Sequence, residues 1–326
     1  AAQGLGVIAG GSINLSGNTV SYIAMRSGSG GVTFSNTAGF NVTSAVGGIT
    51  SPTTISGVSS NGAAISLSAA AGDITVTSPV NAGSGQVDIT ASSGGIYTGS
   101  GGAINIIGGS FNGSAGTNIG GPTYSLMTQT PTWNSVYAGG DLYLDNTGAV
   151  TTAGTVDAGG IVKLTAHSPL TIGTSGVLAG GDIVLEASAM GGLDDLTING
   201  EVISSAGNIY LRAGNLIYEN ALVSAPMGTV TRTPNLNSAT TPEISQTVVS
   251  NLINQVVNDT VNIGPATTTP EGLILIADVS EESAGGATDS SASSEDEKEK
   301  KAKDTEGQKQ TGGGKKDGKP KKNYCN

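Results

Sequence analysis

Few side chains in this sequence of 326 residues are of the types that perform acid–base or nucleophilic chemistry. The sequence holds one histidine, His167, and one cysteine, Cys325. Nucleophilic triads need an imidazole beside the nucleophile, whereas His167 follows an apolar–polar alternation and is typical of a surface corner. Asp194 and Asp195 are adjacent, but a calcium site needs further oxygen ligands at a defined spacing. We therefore expect no catalytic, metal or cofactor site.

Acidic residues outnumber basic ones. The net charge is −11, and residues 1–278 contain 15 Asp and Glu against four Arg and Lys. Because nucleic-acid binding requires a basic surface, we expect none. A β-helical enzyme acting on acidic polysaccharides would gather carboxylates and bases on one face. The bases Arg26, Lys163, Arg212 and Arg232 are instead scattered. Such an enzyme is the alternative function, and a passive structural stalk is another.

A recurring phrase sets the framework that positions these residues. It consists of Gly, any residue, an aliphatic residue, any residue, Leu or Ile, any residue and a small residue. Copies occupy residues 11–17, 85–91, 140–146, 160–166, 181–187 and 207–213. The alternation is typical of a strand with one buried face. The aliphatic residues Leu142, Val162 and Ile183 are 20 and 21 residues apart, and such a fixed spacing indicates a solenoid.

We therefore predict an all-β fold, a right-handed parallel β-helix over residues 1–230 with three short strands per coil of roughly 20 residues. An array of β-sandwiches is the alternative, but no copy has a two-residue hairpin turn. We expect corner glycines with positive φ, at Gly139, Gly159, Gly180 and Gly207. Asp141 and Asp182 occupy equivalent places in their coils and predict an outward polar column.

Residues 108–137 depart from the phrase, and we predict a non-repeat insertion there. The segment holds four aromatic residues in a chain with few of them: Phe111, Tyr124, Trp133 and Tyr137. One interpretation is a loop that packs its own aromatic rings against the rod. The other is a glycan or partner contact surface, since aromatic side chains are common at such sites.

The periodicity changes in residues 231–278, which we predict to cap the rod. Thr241-Pro242-Glu243 resembles a helix start, and apolar residues follow at four-residue spacing. We expect an amphipathic helix over 242–258, covering the open sheet edge of the last coil, and a final strand over 272–279.

Residues 279–326 lack the apolar residues of a core, and we expect a disordered tail. Residues 281–299 carry seven acids and one Lys, and residues 300–322 carry nine Lys and three acids. The tail ends with Lys321, Lys322, Tyr324 and Cys325, which places a reactive thiol in basic surroundings. No stretch of 18 apolar residues is present, so we expect no transmembrane helix. The sequence opens in mid-repeat without a Met, and we expect a C-terminal part of a longer protein.

The coils of the type Gly180 to Leu185, followed by a Lys- and Glu-rich tail, resemble the C-terminal end of filamentous-haemagglutinin-type exoproteins. These are large secreted adhesins of bacterial two-partner secretion, and the ending at residues 322–326 is similar to several of their termini. The resemblance implies a surface-displayed adhesin or biofilm-matrix rod that is secreted and associated with the outer membrane.

The resemblance also implies two partners. One is an outer-membrane β-barrel transporter, and the other is a host receptor or polysaccharide. Some members stay attached because a C-terminal segment with Cys lodges in the transporter, which would make Lys321, Lys322, Tyr324 and Cys325 the anchor. Those anchors often use two cysteines, and here Cys325 is alone.

Overall fold

A computed structural model describes residues 3–47, 53–99, 101–188 and 194–236. These residues form a parallel β-solenoid of about ten turns, with 30 strands and no helix among them. Two sheets of 14 strands each line the solenoid, and a two-stranded sheet lies apart from them. Every pair within the large sheets is parallel. The predicted all-β parallel β-helix is therefore confirmed, and the alternative of a β-sandwich array is wrong.

The strands of the N-terminal coils are β1 (Gly4–Ala9), β2 (Ile13–Asn18), β3 (Tyr22–Ser27), β4 (Val32–Asn36), β5 (Phe40–Val42), β6 (Ser44–Gly47), β7 (Thr53–Ser56), β8 (Val58–Ser59), β9 (Ile65–Ala69), β10 (Ile74–Val76), β11 (Val80–Asn81), β12 (Gln86–Ala91), β13 (Ile96–Thr98), β14 (Ile106–Ile107), β15 (Ser110–Ala115), β16 (Leu126–Gln129) and β17 (Thr132–Ala138).

The strands of the C-terminal coils are β18 (Leu142–Asn146), β19 (Val150–Thr152), β20 (Val156–Ala158), β21 (Val162–Ala166), β22 (Leu170–Ile172), β23 (Val177–Ala179), β24 (Ile183–Ala187), β25 (Leu196–Ile198), β26 (Val202–Ser204), β27 (Ile209–Ala213), β28 (Ile217–Glu219), β29 (Val223–Ser224) and β30 (Val230–Thr233). The coils that begin with β18, β21, β24 and β27 each contain three strands.

The two large sheets exchange roles midway along the solenoid. We call the sheet that contains β1, β3 and β18 sheet 1, and the sheet that contains β2, β12 and β17 sheet 2. Around β12, the long strands lie in sheet 2 and sheet 1 is split into short strands such as β10 and β11. From β18 onward, sheet 1 holds the long strands and sheet 2 is split. The long strand β17 pairs with both β19 and β20, so the split in sheet 2 begins there.

Residues 108–137 belong to the solenoid, and the predicted insertion is wrong. β15 pairs with β12 along its whole length, and β17 pairs with β15. The segment departs from the phrase because it spans the exchange between the sheets, where the long strand changes its place in the coil. Gly113 also replaces the expected Leu or Ile, because a side chain there would approach the Phe111 ring within 2.8 Å.

A hairpin leaves the solenoid between β5 and β8, and the recurring phrase does not predict it. β6 and β7 pair antiparallel, and Ile55 of this hairpin is buried. A Cβ added at Gly6 in β1 would lie 3.3 Å from the Ala45 Cβ. The hairpin therefore packs over the outer surface of sheet 1 near its N-terminal edge.

The core is a continuous stack of aliphatic side chains along the solenoid axis. In sheet 1, Leu144, Leu164, Leu185 and Leu211 occupy equivalent positions in successive strands, and all four are fully buried. Each side chain contacts its counterparts in the coils on either side, so a coil is stabilised mainly by its neighbours.

Corner glycines are required for a different reason from the one predicted. Gly139, Gly159, Gly180 and Gly207 all have ordinary φ values. A Cβ added at Gly159 would lie 2.3 Å from the Gly139 carbonyl oxygen, and one at Gly180 would lie 2.0 Å from that of Gly159. The coils approach each other too closely for a side chain at these corners.

The predicted helix at 242–258, the strand at 272–279 and the tail at 279–326 lie outside the described residues. They remain predictions from the sequence.

Candidate functional site

The acidic side chains of the corners hold consecutive coils together. The backbone N–H of Ile161 donates to Asp141 Oδ1 at 2.8 Å, and that of Asn208 donates to Asp182 Oδ1 at 2.7 Å. Asp73 accepts in the same way from Gly95 at 2.8 Å. Asp141 and Asp182 take equivalent corner positions, but Ile161 lies between them, so the predicted polar column is interrupted in that coil. We call the three carboxylate contacts with backbone N–H groups the corner ladder. Its carboxylates satisfy backbone donors where the chain turns.

The adjacent acids Asp194 and Asp195 are also engaged within the fold. Asp194 is buried, and Asp195 Oδ1 accepts from Asn215 Nδ2 at 2.8 Å and from the Leu216 backbone at 3.1 Å. Among the residues that the structure describes, no three His, Cys, Asp or Glu side chains are grouped as metal ligands.

A charged cluster lies on the outer surface of sheet 1. His167 Nε2 is 2.9 Å from Asp145 Oδ1, and Arg212 pairs with Glu186 at 3.2 Å. Burial raises the pKa of Asp145 above its ordinary value of 3.8, the charges of His167 and Lys163 oppose this shift, and Glu186 adds to it. His167 is half-exposed, as expected for a surface corner, and its imidazole ring contacts Asp145 in the preceding coil.

Phe111 and Trp133 do not form a contact surface, and their prediction as glycan or partner contacts is wrong. Both side chains are fully buried. They occupy paired positions of β15 and β17, and Trp133 Nε1 donates to the buried Thr128 hydroxyl at 3.2 Å. Their rings fill the core where the coil changes shape. The alternation in β15, with Phe111 at the position of Val87 in β12, is the sequence pattern that places Phe111 inside.

Tyr124 and Tyr137 are the exposed members of the aromatic set, each with half of its surface accessible. The structure does not bring them together with Phe111 and Trp133 on one surface. Tyr137 points outward from sheet 2, and it lines a groove with a volume of about 390 Å³. The four residues therefore separate into two core side chains and two surface side chains, of which one lies in a groove.

This groove crosses several coils on the outside of sheet 2. Outward side chains of β12, β15, β17 and β20 line it, together with Thr155, which directly precedes β20. The strand residues include Asp88, Asn112, Ser114, Tyr137 and Asp157. Ser114, Tyr137 and Asp157 are register partners in consecutive coils. The lining therefore combines one aromatic ring with hydroxyl, amide and carboxylate groups.

A hydrogen-bond network orders one end of the groove. Asp88 Oδ1 accepts from Asn112 Nδ2 and from Gln86 Nε2, the latter at 2.7 Å. Asn112 Oδ1 in turn accepts from the Ser135 backbone at 3.1 Å. These amide and carboxylate groups are held in fixed orientations, as is typical of polar groups that line binding sites.

An irregularity in β17 shapes the groove. Between Phe111 and Gly113 the register shifts, because Trp133 pairs with Phe111 while Val136 pairs with Gly113. Two residues of β17, Asn134 and Ser135, therefore oppose one residue of β15. Such bulges bend a strand and redirect the side chains that follow. This bulge keeps Trp133 and Val136 both inside and points Tyr137 outward.

Comparisons with known protein families, with characterised proteins and with solved structures found no significant match. The resemblance to filamentous-haemagglutinin-type exoproteins therefore rests on the sequence pattern alone. Within the residues that the structure describes, no helix is long and apolar enough to cross a membrane. The predicted anchor residues Lys321, Lys322, Tyr324 and Cys325 lie outside these residues.

Proposed function

We propose that this chain is the rod of a secreted bacterial adhesin or biofilm-matrix protein displayed at the outer membrane. The observation that carries the proposal is the corner ladder. The carboxylates of Asp73, Asp141 and Asp182 accept backbone donors from the next coil. Each of these three carboxylates links its coil to the next one, which suits a scaffold built of stacked coils. We infer a right-handed winding, since parallel crossover connections almost always have that hand.

Adherence of intact cells tests this function. Cells that display the full-length protein are compared with cells of a strain lacking it, on host cells, on immobilised polysaccharide and in biofilm assays. We expect the deletion strain to adhere less and to form a thinner biofilm. Equal adherence would overturn the adhesin proposal and favour a passive stalk. Release of new reducing ends from a polysaccharide by the purified protein would instead favour the degrading enzyme.

We further propose that the C-terminal tail tethers the rod to an outer-membrane β-barrel secretion partner. The support is the sequence of residues 279–326, in which an acidic stretch precedes a basic one and Cys325 follows. A chain without a core can thread a pore that a folded solenoid cannot enter, so the rod would stop outside. The bacterial periplasm is oxidising, and Cys325 could form a disulfide with a partner there.

Deletion of residues 319–326 tests the tether, with Cys325→Ser as the finer variant. We expect the deletion to release the protein into the medium, measured by comparing cell-bound and soluble fractions. If release follows the deletion but not Cys325→Ser, retention depends on charge and threading. Unchanged cell association of the deletion variant would contradict the tether while leaving the adhesin proposal standing.

A further inference from the structure

We propose that the groove around Tyr137 binds a neutral oligosaccharide. This proposal names a ligand class for the proposed adhesin. It rests on the adhesin function for the biological role of the binding, whereas the binding itself is argued from the groove. The groove is defined by Asp88, Asn112, Ser114, Tyr137, Thr155 and Asp157 on the outer surface of sheet 2.

Small neighbours leave one side of the Tyr137 ring open. In the same outward column, the preceding coils carry Ser114 and Thr90, and the following coil carries Asp157. Neighbouring strands are about 4.8 Å apart. Serine and threonine side chains on the adjacent strands are too short to cover an aromatic ring across this distance. Half of the tyrosine surface is accessible. A flat ring exposed beside hydroxyl groups suits a pyranose, which presents C–H groups on its faces and hydroxyl groups around its rim.

The length of the groove favours a chain of sugars over a single one. Its lining extends from Asp88 in β12 to Asp157 in β20, which are separated by three strand spacings, or about 14 Å. The polar groups along this path are both donors and acceptors. Asn112, Ser114 and Thr155 supply amide and hydroxyl groups, and Asp88 and Asp157 supply carboxylate acceptors for sugar hydroxyls.

The charges of the groove select against acidic polysaccharides. Among the described residues, two carboxylates lie in the lining and no Lys, Arg or His side chain does. An anionic sugar would meet repulsion without a counter-charge, whereas a neutral sugar donates its hydroxyl protons to both carboxylates. The fixed orientation of Asp88 by Gln86 and Asn112 lowers the entropic cost of such hydrogen bonds.

Titration of the full chain with defined oligosaccharides tests the proposal. The probes are linear tetrasaccharides of glucose, galactose, mannose and N-acetylglucosamine, with tetragalacturonate as the acidic probe. We expect at least one neutral probe to bind with a dissociation constant of about 1 mM or tighter, and we expect tetragalacturonate to bind more weakly. Absence of binding by all neutral probes, or preference for the acidic probe, would overturn the proposal.

Three variants identify the site. Tyr137→Ala should weaken binding of the neutral probe at least about tenfold, and Tyr137→Phe should retain most of it because the ring remains. Tyr124→Ala is the matched control, since Tyr124 is equally exposed but does not line the groove. Equal effects of Tyr137→Ala and Tyr124→Ala would contradict the assignment. The two proposals can fail separately. If the purified chain binds a neutral probe but the deletion strain adheres as well as the original strain, the adhesin proposal is refuted and the glycan site stands.

Discussion

Gly159 shows how one absent side chain permits the coils to stack. An added Cβ would lie 2.3 Å from the Gly139 carbonyl oxygen, and a backbone atom of the neighbouring coil cannot move aside without disturbing its strands. We expect Gly159→Ala to lower the free energy of unfolding by about 1–3 kcal/mol, as for other overpacked sites. Urea unfolding followed by circular dichroism measures this change.

Gly148 is the matched control for that substitution. A Cβ there would meet nothing within 4 Å, and its φ is not in the left-handed region. Gly148→Ala should leave stability within about 1 kcal/mol of the original or raise it slightly. Equal losses for the two variants would show that close stacking is not the reason for glycine at position 159.

Asp145 should give the solenoid a specific dependence on pH. Burial raises its pKa in the folded chain above 3.8, so the folded state binds this proton more tightly than the unfolded state does. Its contribution to the free energy of unfolding is therefore fully present below pH 3.8, and it is lost as pH rises through the raised pKa. Asp145→Asn should remove this loss. Between pH 3.8 and the raised pKa of Asp145, the free energy of unfolding of the variant should therefore increase relative to that of the original chain.

His167→Gln provides the companion measurement for Asp145. The charge and hydrogen bond of His167 lower the pKa of Asp145, so this variant should move the window in which stability falls to higher pH. Unfolding by urea at a series of pH values measures both variants. A pH profile of Asp145→Asn that is parallel to the original would refute the role of this carboxyl.

At the level of single residues, the sequence predicts which positions recur in each coil better than it predicts whether a given side chain is buried. The equivalent corner positions of Asp141 and Asp182 are predictable because both residues take the same place in copies of one phrase. The alternation of β15 is a local signal for Phe111, which takes the position of Val87 in β12. Trp133 lacks such a signal, because the bulge that follows it interrupts the alternation of β17, and its burial follows from pairing with Phe111.

At the level of the strand, alternation controls stability, and β24 offers a direct test. Leu185 is fully buried and pairs with Leu164 and Leu211 in the neighbouring coils. Leu185→Asp would place an unpaired carboxylate in this stack, and we expect the solenoid to fail to fold or to lose more than about 4 kcal/mol. Circular dichroism and thermal unfolding measure the loss.

Val184 provides the control in the same strand. It is only partly buried, and its register partner in the preceding coil is Lys163. Val184→Asp should therefore change stability by no more than about 1 kcal/mol. Comparable damage from both substitutions would contradict the inside–outside assignment of β24.

The exchange of roles between the two sheets could not be predicted from the repeat. Both halves of the solenoid use the same phrase for their long strands, but β12 lies in sheet 2 and β18 lies in sheet 1. The phrase specifies a strand with one buried face, which either sheet provides. The exchange depends on pairing between coils, with β17 contacting both β19 and β20, and such pairing is not written in any local pattern. The groove lies at this exchange, so its position was equally hidden.

At the level of the whole molecule, the C-terminal end of the described solenoid needs a cover to prevent aggregation. Leu222, Met227 and Leu236 are exposed large apolar side chains close to β29 and β30, with Met227 at 80%. A sheet end with apolar side chains and unpaired backbone groups favours aggregation unless something covers it. The chain continues directly from residue 236 toward Ile244, Val248 and Leu252, whose spacing predicts an amphipathic helix. We therefore expect residues 242–258 to cover this end.

Truncation after residue 236 tests the cover. Hydrogen exchange should accelerate in β28–β30 of the truncated chain relative to the full chain, while β21 in the interior of the stack changes little, since each coil depends mainly on its neighbours. The truncated chain should also aggregate at lower concentration, measured by light scattering. A second chain truncated after residue 278 is the control, because it keeps residues 242–258 and loses only the tail. If β28–β30 exchange equally fast in all three chains, residues 242–258 do not cover the last coil.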